Sequence, residues 1–164
     1  MLPGGNLREP LSAIRRAEVI AIPENEAEVE DELKARSWQG AVWRIRRRME
    51  VPAINGPVVA FCGIARPGQF FEGLEAAGMR LAARIAFHDH HRYTARDLGR
   101  LQSAAREAGA VALITTEKDL VRLGPLVEGL PPSLPILTAR LRIEIANAAA
   151  AIEWLLARIG KELL

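Results

Sequence analysis

All three histidines of the chain lie within four consecutive residues, His88-Asp89-His90-His91. The run follows an apolar, strand-like segment at residues 81–87 and precedes Thr94, where a helical pattern opens. Histidine is the side chain whose charge changes nearest to neutral pH, and α/β proteins place binding and catalytic groups at the carboxyl ends of strands. We therefore take Asp89, His90 and His91 as the candidate catalytic residues.

Three interpretations of this cluster are open from the residues alone. A histidine could cap the next helix or bond a backbone carbonyl, with a purely structural role. The triplet could bind a metal, as in metal-dependent phosphoesterases, although adjacent histidines on an extended chain point to opposite faces and the other aspartates lie in predicted helices. A histidine could also assist or orient a base during group transfer. A metal-dependent phosphoesterase and a non-catalytic Rossmann-like module thus stay as alternatives to a transferase.

Two further polar segments follow predicted strands. In Thr115-Thr116-Glu117-Lys118-Asp119, the threonine and the acids suit a helix start, but a lysine in the first turn opposes the helix dipole. Glu117 and Lys118 are therefore candidate cofactor-binding residues. Arg66 joins them because it lies at a strand-to-helix turn, where a helix N-terminus can bind an anion, although the segment could equally be only a tight turn. The sequence has no phosphate-binding P-loop consensus, no Gly-x-Gly-x-x-Gly and no Gly-x-Ser-x-Gly.

Composition narrows the class of protein. A length of 164 residues suits one domain of ordinary size, and a net charge of +2 gives no argument for nucleic acid as a partner. The single cysteine, Cys62, excludes an internal disulfide and a cysteine-based zinc site, and its apolar surroundings predict a buried, inert thiol. The chain lacks a signal-peptide pattern and an apolar stretch of about 20 residues, so we expect a cytosolic protein that can still touch a membrane peripherally.

The pattern of apolar runs predicts strands that alternate with helices. The predicted strands span residues 18–22, 41–46, 58–64, 80–87, 111–115 and 136–138. Pro67 suits a first helical position, Thr94 with Asp97 suits a capping box, and Thr116 with Asp119 repeats that arrangement. This alternation predicts an α/β fold: a Rossmann-like, mostly parallel sheet with helices on both faces.

The last predicted helix carries apolar residues at helical spacing, so we expect it to dock on a core. These residues are Ile145, Ala149, Ile152, Leu156 and Ile159.

Two charged segments interrupt the alternation. Residues 24–32 are rich in acids and predict a solvated helix face. Residues 43–51 alternate, with Arg44, Arg46 and Arg48 on one side. That ribbon is either a solvated edge strand or a surface that faces phosphates or lipid headgroups.

Four short motifs occur in order along nearly the whole chain. They are Leu7-Arg8-Glu9-Pro10-Leu11, Phe61-Cys62-Gly63-Ile64-Ala65-Arg66-Pro67-Gly68-Gln69-Phe70-Phe71, Phe87-His88-Asp89-His90-His91-Arg92-Tyr93-Thr94 and Thr115-Thr116-Glu117-Lys118-Asp119. Together they resemble the C-terminal half of the tetraacyldisaccharide 4'-kinase family, the lipid A 4'-kinases of Gram-negative bacteria.

The resemblance implies an enzyme that transfers the γ-phosphate of ATP, with Mg²⁺, to the 4'-hydroxyl of tetraacyldisaccharide 1-phosphate. Such an enzyme works peripherally at the cytoplasmic face of the inner membrane. The resemblance also implies that the P-loop, the magnesium-binding acids and an aspartate base belong to an N-terminal domain that this chain lacks. The chain alone should then be inactive as a kinase, with ATP, the lipid substrate and that P-loop domain as its partners.

The family's Asp-His motif supplies a histidine that pairs with that base across the cleft between two α/β domains. By resemblance we carry this role to His90, with Asp89 orienting it and His91 as the alternative. The resemblance also divides the chain into a remnant of the preceding domain or loop (residues 1–16) and a C-terminal α/β domain (residues 17–164). Within the latter, residues 41–54 fall where the family has a β-ribbon linker between its domains, which favours an inter-domain role for that ribbon.

Overall fold

The computed structural model describes residues 10–162, and its description of side chains excludes residues 11, 161 and 162. The chain divides into two compact units, one of Met1–Arg47 with Ile143–Leu164 and one of Arg48–Arg142. Most of the predicted remnant of the preceding domain or loop, residues 1–16, lies outside the described residues. The predicted domain boundary between residues 16 and 17 stays a prediction.

Strands and helices alternate along the chain. The strands are β1 (Val19–Pro23), β2 (Ala41–Glu50), β3 (Val58–Cys62), β4 (Leu81–Ala86), β5 (Ala112–Thr116) and β6 (Ile136–Ile145). The helices are α1 (Ala27–Ala35), α2 (Pro67–Ala76), α3 (Ala95–Glu107), α4 (Glu117–Leu123) and α5 (Ala148–Glu162), with 3-10 turns at Leu11–Arg16 and Gly124–Gly129. All six predicted strands are confirmed, although β2 and β6 run further than predicted.

The larger unit is built on a parallel sheet in the order β4-β3-β5-β6. Strand β3 is buried along its whole length, which explains its uninterrupted apolar sequence. Its residues alternate between two cores: Val59 and Phe61 pack with α3, whereas Val58, Ala60 and Cys62 pack with α2. The prediction of an α/β fold with helices on both faces of a mostly parallel sheet is therefore confirmed.

Helix ends in this unit follow the sequence signals. Helix α2 begins at Pro67, whose missing N–H would be unpaired in the first turn anyway. Helix α3 begins with a complete capping box, in which the Thr94 hydroxyl accepts from the Asp97 N–H and the Asp97 carboxylate accepts from the Thr94 N–H. Thr116 caps α4 in the same manner through the Asp119 N–H. All three predicted helix starts are confirmed.

The smaller unit contains a parallel pair, β1 with β2, in which Val19 lies opposite Ala41. On β2, Arg44 forms an ion pair with Glu30, and Arg46 Nε lies 2.9 Å from Glu24 Oε2. The acidic segment predicted as a solvated face therefore pairs with part of the arginine-rich ribbon.

Helix α5 departs from the expected docking. It packs through Ala151 and Trp154, whose ring meets that of Trp43 edge-on at 6.0 Å. Ile152, Leu156 and Ile159 are each more than half exposed, so the expectation that their stripe docks on a core is wrong. Helical spacing reports that one face is apolar, but it does not report what covers that face. In the part of the chain that the structure describes, no helix is long and apolar enough to cross a bilayer.

Leu101, on α3, should carry a large share of the stability of the larger unit. It is fully buried against β3 and β5, whereas Val121, on the neighbouring α4, is 80% exposed. Leu101→Ala should lower the free energy of unfolding by about 2–5 kcal/mol because it leaves a cavity in a packed core. Val121→Ala should change it by about 0.5 kcal/mol or less. Urea denaturation of both variants measures this, and equal losses would contradict the assignment of the core.

Candidate active site

The topology of the larger unit indicates where a ligand-binding crevice is expected. After β3 the chain passes through α2 to β4 on one side, and after β5 it passes through α4 towards β6 on the other. Ligands in open α/β sheets bind where such connections diverge, outside the carboxyl ends of the strands. Here those ends are Gly63 after β3 and Thr116 at the end of β5, with the histidine run after β4 beside them.

Asp119 joins the two strand ends. Its side chain is fully buried. Its Oδ2 accepts from the Gly63 N–H at 3.1 Å and from the Thr116 hydroxyl at 2.7 Å, and its Oδ1 accepts from Arg122 Nη1 at 3.1 Å. A buried carboxylate is tolerated when donors of this number and charge satisfy it. The residue that the sequence indicated as a helix cap is therefore also the anchor of the crevice.

The Gly63 position is crowded by the same groups. A Cβ atom built there would lie 3.1 Å from the Cβ of His91 and 3.3 Å from Asp119 Oδ1. Glycine therefore allows the end of β3 to approach both the histidine run and the buried carboxylate.

His91 faces inward. Its side chain is 15% exposed, and its ring stacks on Phe87 at 4.6 Å and meets Tyr93 edge-on at 5.0 Å. Its Nε2 lies 3.1 Å from Asp97 Oδ2 and its Nδ1 lies 3.1 Å from His88 Nδ1. Both ring nitrogens are thus occupied, and the ring secures the loop to the start of α3.

His90 faces outward. Its side chain is 80% exposed, and its Nδ1 lies 3.1 Å from Arg122 Nη2. Its backbone has a φ of 59°, a left-handed conformation that is uncommon outside glycine. Strained backbone of this kind persists where surrounding contacts determine it, and it concentrates at functional sites. Of the two histidines that the sequence left as candidates, His90 is the one that can reach a bound molecule.

Asp89 contacts the backbone of His90 more closely than its ring. Its Oδ1 accepts from the His90 N–H at 3.0 Å, whereas its Oδ2 lies 3.8 Å from His90 Nε2. The shortest side-chain contact of the ring comes from Arg122, a residue that sequence reasoning missed, and the orienting role of Asp89 stays a prediction.

The residues predicted to bind a cofactor lie apart from the His90 ring contacts. Glu117 pairs with Arg140, with Oε1 2.8 Å from Nε. Lys118 is exposed at the start of α4, and Arg66 is exposed at the N-cap of α2. Their role in binding a cofactor stays a prediction.

The site does not fit a metal centre. Among residues 10–162, no group of three or more His, Cys, Asp or Glu side chains is placed to hold a metal ion. Asp97 is engaged with Thr94 and His91, and Asp119 is engaged with Gly63, Thr116 and Arg122. The Asp97 and Asp119 carboxylates thus serve as hydrogen-bond acceptors for the protein itself.

Burial and the Asp119 carboxylate shift the pKa of two neighbouring groups. Burial, helped by this carboxylate, raises the pKa of the Cys62 thiol to about 12. Burial and the same negative charge also raise the pKa of the Tyr93 hydroxyl. Cys62 is buried, as the sequence predicted, and a buried thiol with a raised pKa is a poor nucleophile.

Comparison with known proteins identifies the family. The family model for LpxK, tetraacyldisaccharide-1-P 4'-kinase, matches residues 1–160. This chain belongs to the tetraacyldisaccharide 4'-kinase family. The tetraacyldisaccharide 4'-kinase of Koribacter versatilis is 36% identical over 159 residues, which cover 93% of this chain and 46% of that protein. The corresponding protein of Nitrobacter winogradskyi is 44% identical over 131 residues, covering 75% of this chain and 38% of that protein.

A solved family structure has the same fold. The crystal structure of LpxK from Aquifex aeolicus in complex with ATP superposes with a TM-score of 0.58 at 22% identity. The alignment covers 97% of this chain and 48% of that chain. The chain thus spans about half the length of the tetraacyldisaccharide 4'-kinases it matches.

Asp97 should couple stability to pH. Its burial opposes ionisation, but hydrogen bonds from Thr94 and His91 outweigh burial and hold the pKa of its carboxyl below the ordinary value. A carboxyl with a depressed pKa stabilises the fold above its unfolded pKa of about 4, and that contribution is lost as pH falls further. Asp97→Asn should therefore be less stable by about 1 kcal/mol near neutral pH, with the gap closing in acid.

Urea denaturation across pH measures this dependence. Glu72→Gln, which removes an exposed carboxylate of α2, is the matched control and should change the free energy of unfolding at neutral pH by about 0.5 kcal/mol or less. A constant difference between wild type and Asp97→Asn at all pH values would contradict the linkage.

Proposed function

We propose that this chain is the C-terminal portion of a tetraacyldisaccharide 4'-kinase. The whole enzyme would transfer the γ-phosphate of ATP to the 4'-hydroxyl of tetraacyldisaccharide 1-phosphate. The family match over residues 1–160 supports the enzyme class, and ATP is present in the crystal structure of the Aquifex aeolicus protein. The observation that carries the proposal is His90, an exposed imidazole whose ring and backbone are both fixed at the crevice of the sheet.

In the proposed reaction, the 4'-hydroxyl oxygen bonds to the γ-phosphorus while the bond from that phosphorus to the bridging oxygen of ADP breaks. The hydroxyl proton passes to a carboxylate base in the P-loop half, and His90 pairs with that base to orient it. Phosphoryl transfer depends mainly on positioning and electrostatics, so a single well-held imidazole is a sufficient contribution from this half.

Nucleotide and magnesium would be held largely outside this chain. The sequence has no P-loop consensus, and the carboxylates of the site are engaged in internal hydrogen bonds. The carboxylates of this site do not fit Mg²⁺. The ATP phosphates and the metal belong in this proposal to the P-loop half of the protein.

The proposed substrate carries four acyl chains, which hold it in a membrane. We therefore propose that the enzyme works peripherally at the cytoplasmic face of the inner membrane. Vesicle flotation of the full-length protein tests the membrane association.

His90→Ala tests the catalytic role in the protein rejoined to its P-loop half. The variant should lower kcat by about a hundredfold or more, the range expected when a positioned acid–base group is lost. The melting temperature should stay unchanged because the ring is 80% exposed. The 164-residue chain alone should show no transfer.

Arg96→Ala provides the matched control because Arg96 is exposed on α3 and takes no part in the site. It should keep wild-type kcat. Wild-type activity in His90→Ala would remove the proposed role.

The apolar face of α5 supports a partner in the P-loop half. Ile152, Leu155, Leu156 and Ile159 lie on the helix at 42–63% exposure. Contiguous apolar patches of this kind usually mark an interface. Because the matched relatives are about twice as long as this chain, we propose that the remaining half of the protein covers this face.

Leu156→Asp distinguishes a covered face from an exposed one. In the 164-residue chain it should change the free energy of unfolding little, since the residue is 63% exposed. In the protein rejoined to its P-loop half it should cost about 2 kcal/mol or more, the value of burying a leucine. Glu153→Gln, also exposed on α5, should have little effect in both proteins. Equal effects of Leu156→Asp in the two proteins would show that the face stays uncovered.

A further inference from the structure

Arg122 makes the contact that fixes the His90 ring. Its Nη2 lies 3.1 Å from His90 Nδ1. A guanidinium group only donates hydrogen bonds, so Nδ1 must accept and the ring proton must lie on Nε2. Nε2 is the other ring nitrogen of a side chain that is 80% exposed, and Asp89 Oδ2, 3.8 Å away, is beyond hydrogen-bond distance from it. The contact therefore selects one tautomer and presents an N–H outward.

Arg122 is itself held by groups that cannot move independently. Its Nη1 donates to the Gly63 carbonyl at 2.9 Å and to Asp119 Oδ1 at 3.1 Å. Asp119 is fully buried and is fixed by the Gly63 N–H and the Thr116 hydroxyl. A chain of hydrogen bonds thus runs from the end of β3 and the start of α4, through the guanidinium, to the exposed imidazole.

The backbone of His90 is tied to the same point. Its N–H donates to the Gly63 carbonyl at 3.2 Å and to Asp89 Oδ1 at 3.0 Å. Gly63 therefore receives the backbone of His90 and the side chain of Arg122 on one carbonyl. The Gly63 carbonyl thus holds the His90 backbone directly and the His90 ring through Arg122. These contacts explain how the left-handed φ of 59° at His90 is maintained.

We propose that Arg122, braced by Asp119, is a positioning residue that sets the orientation and tautomer of His90, so that Nε2–H is presented to an acceptor. The catalytic consequence rests on the proposed function, in which that acceptor is the carboxylate base of the P-loop half. A histidine in the other tautomer would turn a lone pair towards the carboxylate, and the two would repel. Arg122 acts through His90 and does not itself touch the substrate.

The first test uses the 164-residue chain and needs no activity. Long-range ¹H–¹⁵N correlation spectra report which ring nitrogen of His90 carries the proton, and His90→Ala assigns the signal. Wild type should show the Nε2–H form alone. Arg122→Ala should show a mixture of tautomers and a more mobile ring. Arg84→Ala is the control: it removes an exposed arginine of β4 that pairs with Glu75 of α2, and it should leave the spectrum unchanged. Identical His90 signals in wild type and Arg122→Ala would overturn the proposal.

The second test is a double-mutant cycle on kcat in the protein rejoined to its P-loop half. Arg122→Ala should lower kcat by about a hundredfold, the effect of a small misplacement of a reacting group, with KM unchanged. In the His90→Ala background it should have no further effect, because its route to the reaction is gone. Additive losses would overturn the positioning role, since a merely structural residue would weaken both backgrounds.

The outcomes separate this proposal from the proposed function. Wild-type kcat in Arg122→Ala with an inactive His90→Ala overturns the positioning role alone. Wild-type kcat in His90→Ala overturns the proposed function alone, and the spectra then decide whether Arg122 sets the ring. Should Arg122→Ala fail to fold, Arg122→Lys replaces it in both tests. It keeps a positive charge beside Asp119, but its single ammonium cannot reproduce the planar fork that spans three acceptors.

Discussion

The buried carboxylate of Asp119, at the carboxyl edge of the sheet, determines how the elements of the larger unit meet. Asp119 is fully buried, yet the Gly63 N–H, the Thr116 hydroxyl and Arg122 all donate to it. Leaving such a carboxylate without these donors would cost several kcal/mol, so the three groups are held in one arrangement. Because they belong to the end of β3, the end of β5 and helix α4, one side chain fixes the relative position of three elements. Burial raises the pKa of Cys62 and Tyr93, and the negative charge of Asp119 raises both further.

The location of the site follows from the connectivity of the strands. Strand β3 is central and fully buried, and the connections that leave β3 and β5 diverge to opposite sides. Asp119 is buried at that edge of the sheet. The histidine run after β4 contacts Gly63, where any larger residue would crowd His91. Site and core are therefore built from the same few contacts.

Local signals in the sequence were sufficient for most of the fold. Apolar runs located six strands, and Pro67, Thr94 and Thr116 marked helix starts, because these features depend on neighbouring residues. The site was predictable only in part. Arg122 lies one turn after Asp119, which hints at a pair on α4, but its contact with His90 spans 32 residues of sequence and leaves no local trace. The apolar stripe of α5 led to a wrong expectation for a related reason, since periodicity shows a face without showing its partner.

Adjacent histidines with opposite environments explain how the loop serves two purposes. His91 is inserted between Phe87, Tyr93 and Asp97, which secures the loop to α3. With that anchor in place, the left-handed turn at His90 directs the next imidazole into solvent while its backbone stays bonded to Gly63. The anchored His91 ring thus keeps the loop ordered while the His90 ring stays exposed. An exposed side chain on a mobile loop would lose more conformational entropy on binding a reactant. The carboxylates of Asp97 and Asp119 are occupied in building this arrangement, which leaves Asp89 as the partly exposed carboxylate beside the His90 ring.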